Sequence, residues 1–391
     1  MPLVSPTFRI RCPYCRNSFH PGDCAVYSTA NPGKLLRKPP MLNTGEYVKS
    51  RTFIEELNGE EFTREMAVRQ CPSCSQLLFE GIEMCDNLNI AIIGDSSSGK
   101  THYIATLIDQ LRRSALTQNG RGLVQLRPRN KATGDNYKKI YYDPIIQQRT
   151  AAFNTRPGRF DAQGNPTRIE PLVYQLIIQD SAAGANSMLN LLFYDISGED
   201  LANNTALVQF GEHVLRADGI IYLADPMAME HIFQQLPSEA KATQQVPNRT
   251  AEEVLSTVMY RLEQYNRVRP DESISIPTAI CISKADVLQH IIPETVRPNY
   301  WLMYRPAYDG KAHVDDIKHV DGEVRSILKR YGENALLQMS NRFEQVNFFA
   351  ISATGHPPDS SGIYPRIEPH RCLDPFIWIL WKLNYLSAAR Y

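Results

Sequence analysis

The sequence has no net charge: 42 Lys and Arg balance 42 Asp and Glu among 391 residues. That balance argues against a chain held to nucleic acid by bulk electrostatics, so no nucleic-acid partner is expected. No apolar run approaches the roughly 18 residues that cross a bilayer, so no membrane partner is expected either. Met1-Pro2-Leu3-Val4-Ser5-Pro6 lacks the charged and apolar regions of a secretory leader. A cytoplasmic location is the resulting expectation, where the eight cysteines are expected as thiols or metal ligands instead of disulfides. No internal repeat and no long low-complexity tract stands out. What remains is a globular composition, 43% hydrophobic, long enough for two or three domains.

Four of the cysteines form two pairs, Cys12-Pro13-Tyr14-Cys15 and Cys71-Pro72-Ser73-Cys74. Two CxxC turns are the pattern of a tetrahedral zinc site, because each turn brings two thiolates to one ion. The expectation is a zinc ribbon over residues 1–86, with Cys12, Cys15, Cys71 and Cys74 as ligands and a long turn-rich insertion between the pairs. His20 and Cys24 lie in that insertion; the sequence leaves open whether either binds metal. With four protein ligands there is no open coordination position, so the zinc is expected to be structural.

Beyond residue 86 apolar strands alternate with helical patterns, which means an α/β domain over 87–391 with a mainly parallel sheet and helices on both faces. Ile90-Ala91-Ile92-Ile93 runs into Gly94-Asp95-Ser96-Ser97-Ser98-Gly99-Lys100-Thr101 and then His102. The first eight match the phosphate-loop pattern GxxxxGK[ST] in full, between a strand and an amphipathic helix. The glycines let the backbone close around a phosphate, and the N–H groups and helix dipole supply positive potential. Lys100 adds a full charge, and the Thr101 hydroxyl is placed to ligate Mg²⁺.

The segment from about 118 to 169 reads as a polar, irregular insertion, and 291–310 as a second inserted loop. Leu172–Ile178 and Leu189–Tyr194 read as an antiparallel hairpin, the second strand entering Asp195-Ile196-Ser197-Gly198-Glu199. Later strands end in Ser283-Lys284-Ala285-Asp286 and Ser352-Ala353-Thr354. Asp374-Pro375 reads as the cap and first residue of a last helix that packs on the sheet.

These four strand-end loops, in this order, resemble the P-loop GTPases of the Ras and translation-factor class over residues 87 to 391. The zinc ribbon ahead of the domain, the long insertion and the Asp-Pro helix are similar to the bacterial double-GTPase-type families. The resemblance implies GTP and GDP with Mg²⁺ as ligands. It implies that Asp286 reads the guanine edge, Lys284 lies along the base, and Ala353 meets guanine O6 between Ser352 and Thr354. Ser283 stands where the family usually has Asn or Thr. Asp195 would hold Mg²⁺ through water and Gly198 would meet the γ-phosphate. A threonine should close over the metal; Thr155 and Thr167 both lie in the right loop, and Thr167 directly precedes the hairpin. Glu199 stands where the family has a water-positioning glutamine, and its charge would oppose the γ-phosphate. The implied function is a GTP-hydrolysing switch with slow turnover, activated by a protein partner, a second copy or a paired GTPase. A GTP-dependent scaffold without hydrolysis, or a P-loop ATPase with a degenerate base loop, are the alternatives.

Overall fold

Both cysteine turns close in the same way. Arg16 N–H bonds to Cys12 O and Cys12 N–H to Asn17 O, and in the later turn Ser75 bonds to Cys71 and Cys71 to Gln76. Arg16 (φ 59°) and Ser75 (φ 58°) take the left-handed conformation that lets each turn reverse. Around them Ile10–Arg11 (β1) pairs with Ser18–Phe19 (β2), and Ala25–Ser28 (β3) lies between Leu35–Arg37 (β4) and Ala67–Gln70 (β5). Ile10, Phe19, Leu78 and Ile82 pack about the cysteines, and Val173 of the main sheet joins them. The structure is a computed structural model and describes residues 9–28, 33–37, 67–79, 82, 85–113, 117–118, 121–122, 124–152, 171–180, 185–198, 212–242, 249–269, 271–304, 306 and 308–389.

The main sheet is organised on Asp86–Gly94 (β6). After a small ribbon, Thr117–Gln118 (β7) with Arg121–Gly122 (β8), come Val124–Pro128 (β9), Leu172–Asp180 (β10), Ala185–Phe193 (β11), Gly219–Ala224 (β12), Thr278–Ile282 (β13) and Val346–Ala350 (β14). Their order is β14-β13-β12-β6-β11-β10-β9. The strands from β14 to β11 are parallel, and β10 is antiparallel to both β11 and β9. From Leu88 to Gly94 β6 is buried on both sides, so it reads as an unbroken apolar run rather than an alternation. Leu88, Ile90 and Ile92 face one core; Ala91 and Ile93 face the other.

Lys100–Arg112 (α1) and Asp374–Lys382 (α5) bury their apolar stripes in the first core, while Ala251–Asn266 (α3) and Val314–Arg330 (α4) fill the second. A capping box of Thr250 and Glu253 starts α3. The result is the P-loop GTPase fold, a mainly parallel sheet with one antiparallel hairpin edge and helices on both faces, preceded by a small cysteine module. No helix among the described residues is long and apolar enough to cross a membrane.

Three local readings change. Residues 124–147, expected as irregular, hold β9, the helix Lys131–Asn136 (α2) and a wide helix Tyr137–Gln147 with i→i+5 bonding. Tyr137, Tyr141 and Ile145 are its buried residues, every fourth position. Pro144 lies inside this helix and ends a helical reading of the sequence. The 291–310 segment carries short 3₁₀ turns at Arg297–Asn299 and Trp301–Met303. Asp374 is the first residue of α5 with Pro375 second, because its carboxylate is drawn instead to Arg371 (2.6 Å) and the Tyr308 hydroxyl (2.6 Å).

Candidate functional site

The phosphate loop lies between β6 and α1, as its pattern requires. Gly99 sits at the helix entry with φ +87°, a conformation side chains resist. Ser98 donates its hydroxyl to Asp95 O at 2.8 Å, pulling the loop closed. Lys100 Nζ donates to the carbonyls of Gly94 (2.9 Å) and Asp95 (2.6 Å). Burial lowers the Lys100 pKa to about 8, against the pull of Asp195 and then Asp95. An anion in the loop would supply the charge that this ammonium lacks.

The Thr101 hydroxyl donates to Asp195 Oδ2 at 3.1 Å, and Tyr141 of the wide helix donates to the same oxygen at 3.2 Å. Burial, with Asp195 next, raises the Tyr141 pKa well above its usual value, so it stays a donor. Thr101 and Asp195 thus bring a hydroxyl and a carboxylate together beside the phosphate loop, the hard-oxygen chemistry that Mg²⁺ takes. Gly198 leans against this loop so closely that a Cβ there would overlap the Ser96 backbone nitrogen.

His102 is half-buried and turned sideways. Its Nε2 accepts the Ala152 N–H (3.2 Å), and the Tyr364 hydroxyl donates to the same atom (3.2 Å). Burial, with Lys284 adding to it, lowers its pKa to about 4. The imidazole is therefore neutral at pH 7, with its proton on Nδ1, and it braces the loops around residues 152 and 364.

At the ends of β13 and β14 the two base-loop candidates meet. Ser352 Oγ donates to Asp286 Oδ1 at 2.6 Å and accepts the Gly355 N–H at 2.8 Å. Ser283 is buried, with its N–H (2.9 Å) and hydroxyl (3.3 Å) both on Ala224 O. Lys284 adopts φ 50° and pairs with the buried Asp225 at 2.6 Å. Burial raises the Asp225 pKa, and Lys284 offsets part of that. Ala353 and Thr354 are half-buried, and Thr354 donates to His356 O. All four loops stand at the C-terminal ends of β6, β11, β13 and β14, where open α/β sheets bind ligands. Thr155, Thr167 and Glu199 lie outside the described residues.

Three contributors escape the sequence pattern: Tyr141, Asp225 and Tyr364. Asp225 carries a usable signal, an acid ending an apolar strand, the same one that marks Asp195. Tyr141 and Tyr364 carry none, since each arrives from a distant segment.

The four paired cysteines also converge. Their sulfurs all lie within 4.8 Å of one another, three of the residues being buried. Cys12 Sγ is 3.8 Å from Cys74 Sγ, and Cys15 Sγ is 3.7 Å from Cys71 Sγ. A tetrahedron with Zn–S bonds of about 2.3 Å has edges of about 3.8 Å, so the donor set fits zinc. The Tyr14 and Cys15 N–H groups both point at Cys12 Sγ at 3.4 Å, as a thiolate would draw them. Among the described residues no other group of three or more His, Cys, Asp or Glu side chains is poised for a metal. His20 instead uses Nδ1 to accept the Gly22 N–H, and Cys24 is buried in the module core.

No family model matches the chain. Over 330 residues it is 28% identical to SaeC of Mycolicibacterium smegmatis, a proposed ESX-1 scaffolding and assembly protein, covering 80% of this chain and 79% of that one. Among solved structures it is similar to the signal recognition particle receptor SRb-GTP/SRX complex of Chaetomium thermophilum, at 16% identity, 70% and 93% coverage and a TM-score of 0.27. The GTP-bound Ski7 GTPase-like domain of S. cerevisiae is similar at 12% identity, 77% and 51% coverage and a TM-score of 0.30. Strand order and the strand-end loops thus identify the fold as that of the P-loop GTPases, in a chain similar over four fifths of its length to SaeC.

Proposed function

We propose that the chain binds GTP and GDP with Mg²⁺ at the four strand-end loops and works as a slowly hydrolysing switch. The carrying observation is the pairing of Thr101 with Asp195 at 3.1 Å directly beside the Gly94–Thr101 cradle. Gly94, Asp95, Ser96, Ser97, Ser98, Gly99 and His102 would offer backbone N–H groups to the phosphates, with Lys100 as the cation. Asp195 and Thr101, with Thr167 or Thr155, would hold the metal, which neutralises phosphate charge when bound. Asp286, fixed by Ser352, would read the guanine edge; Ala353 and Thr354 would border it. Lys284, held by Asp225, would flank the base. Gly198 would sense the γ-phosphate, and Glu199 in the glutamine position supports slow turnover. Residues 1–86 would form a zinc module and 87–391 the nucleotide domain.

The second reading is a nucleotide-dependent scaffold without turnover, which Glu199 and the scaffolding name of SaeC both favour. Either reading makes protein partners the output. Nucleotide competition tests them together: GTP and GDP should bind with Mg²⁺ dependence and resist excess ATP. Displacement by ATP at equal concentration would leave only a P-loop ATPase. Phosphate release under single-turnover conditions then separates switch from scaffold.

A further inference from the structure

The first cysteine turn is fastened to the chain that carries the Mg²⁺ and γ-phosphate candidates. Tyr194, the residue before Asp195, is buried and donates its hydroxyl to Pro13 O at 2.6 Å, inside the Cys12–Cys15 turn. Its ring stacks on His213, with centroids 4.0 Å apart and planes at 16°. Where the chain returns toward β12, the Arg216 guanidinium donates to Cys15 O and to Asn17 Oδ1 (3.2 Å). Arg16, whose side chain is 3% exposed, pairs with Asp218 and donates to Arg216 O at 3.1 Å. Asp218 also accepts the Asn89 N–H of β6 at 2.8 Å. Residues 194, 216 and 218 are therefore all held by residues 13–17, in and just after the first cysteine turn.

We propose that Tyr194 is a positioning residue through which the four-cysteine ion sets the geometry of Asp195–Gly198, so that zinc and magnesium nucleotide strengthen each other's binding. The inference rests on the nucleotide reading above. The ion holds Cys12 and Cys15 at fixed separation, and the carbonyls of Pro13 and Cys15 lie in or at the end of that short turn. Release of the ion frees those carbonyls, and the Tyr194 and Arg216 donors lose their fixed acceptors. Asp195 follows Tyr194 directly, so a displaced ring moves the carboxylate that Thr101 and Tyr141 hold. Coupling of this kind is reciprocal: whatever zinc does for nucleotide, nucleotide does for zinc. A buried hydrogen bond is worth about 1 kcal/mol, so the expected effect is about fivefold.

The test uses the full chain and GDP as probe, titrated by calorimetry with and without added Mg²⁺. Zinc-loaded wild type is compared with protein stripped of zinc and freed of chelator. Stripping should weaken Mg²⁺-dependent GDP binding about fivefold and leave Mg²⁺-free binding nearly unchanged. Tyr194→Phe, with its zinc retained by metal analysis, should show the same loss, and stripping it should add nothing. Tyr222→Phe, which removes another buried tyrosine's bond, to Ala251 O, should bind GDP as wild type does. Equal Mg²⁺-dependent affinity in Tyr194→Phe and wild type overturns the coupling and leaves the nucleotide reading standing. If stripped protein unfolds, the zinc-loaded Tyr194→Phe result decides alone. If zinc-loaded wild type binds no GDP, the nucleotide reading fails and the coupling goes with it.

Discussion

Lys100 is 4% exposed, and burial brings its pKa down to about 8. In the empty protein it therefore loses its proton as pH rises through 8, while a phosphate beside it would push its pKa back up. Nucleotide binding should then take up a proton above pH 8, and affinity should fall as pH climbs from 8 toward 10. Calorimetry in buffers of different ionisation enthalpy reads that uptake directly; a proton count of zero at pH 9 would contradict it. Gly198→Ala should weaken binding tenfold or more, about 1.4 kcal/mol, because its new methyl has to push the loop off Ser96. At this scale the phosphate loop was legible because its chemistry is local, eight residues in one turn. Tyr141 and Tyr364 were not, because they reach Asp195 and His102 through tertiary packing that no short window records.

Elements were legible where one periodicity ruled. Strands β13 and β14 end at Ile282 and Ala350, within two residues of the expected Ser283 and Ser352 loops, and β10 and β11 pair antiparallel as their apolar runs imply. The wide helix escapes because Pro144 breaks the helical reading. Helix α5 shows what holds an element down. Arg371, 2% exposed, bridges Asp316 (2.9 Å) and Asp374 (2.6 Å) beneath its first turn. Arg371→Leu strands two acids in a low-dielectric site and should cost about 3–5 kcal/mol in urea denaturation. Gly219 in β12 faces the same helix, where an added Cβ would meet Ile379 Cγ2 at 2.6 Å. Gly219→Ala should cost about 1–3 kcal/mol, and pairing it with Ile379→Ala, which vacates that space, should cost less than the two single changes summed.

For the whole molecule, the cysteine module is part of the main core's cover: Val173 and Tyr194 both lie against it. Burial pushes the Cys12 thiol far up and the Cys15 thiol to about 11, so without an ion these groups hold their protons. Release of a zinc ion held by the four cysteine sulfurs would then consume protons and be favoured by acid. A metal-indicator assay from pH 8 down to 5 should show progressive release, with the melting temperature falling alongside it. Release independent of pH would mean that thiolates do not hold the ion. The paired turns announce the four-cysteine cluster from sequence alone, whereas its seat on Tyr194 and Asp218 depends on contacts some 200 residues apart.

Strand β9 carries a consequence for how copies of this chain could assemble. It lies outside β10, at the margin of the sheet, and presents the exposed Arg127 with Pro128 as its last residue. A neighbour zipping on there would crowd a cation and find one amide donor missing. Copies of this chain are therefore not expected to join by extending the sheet past β9.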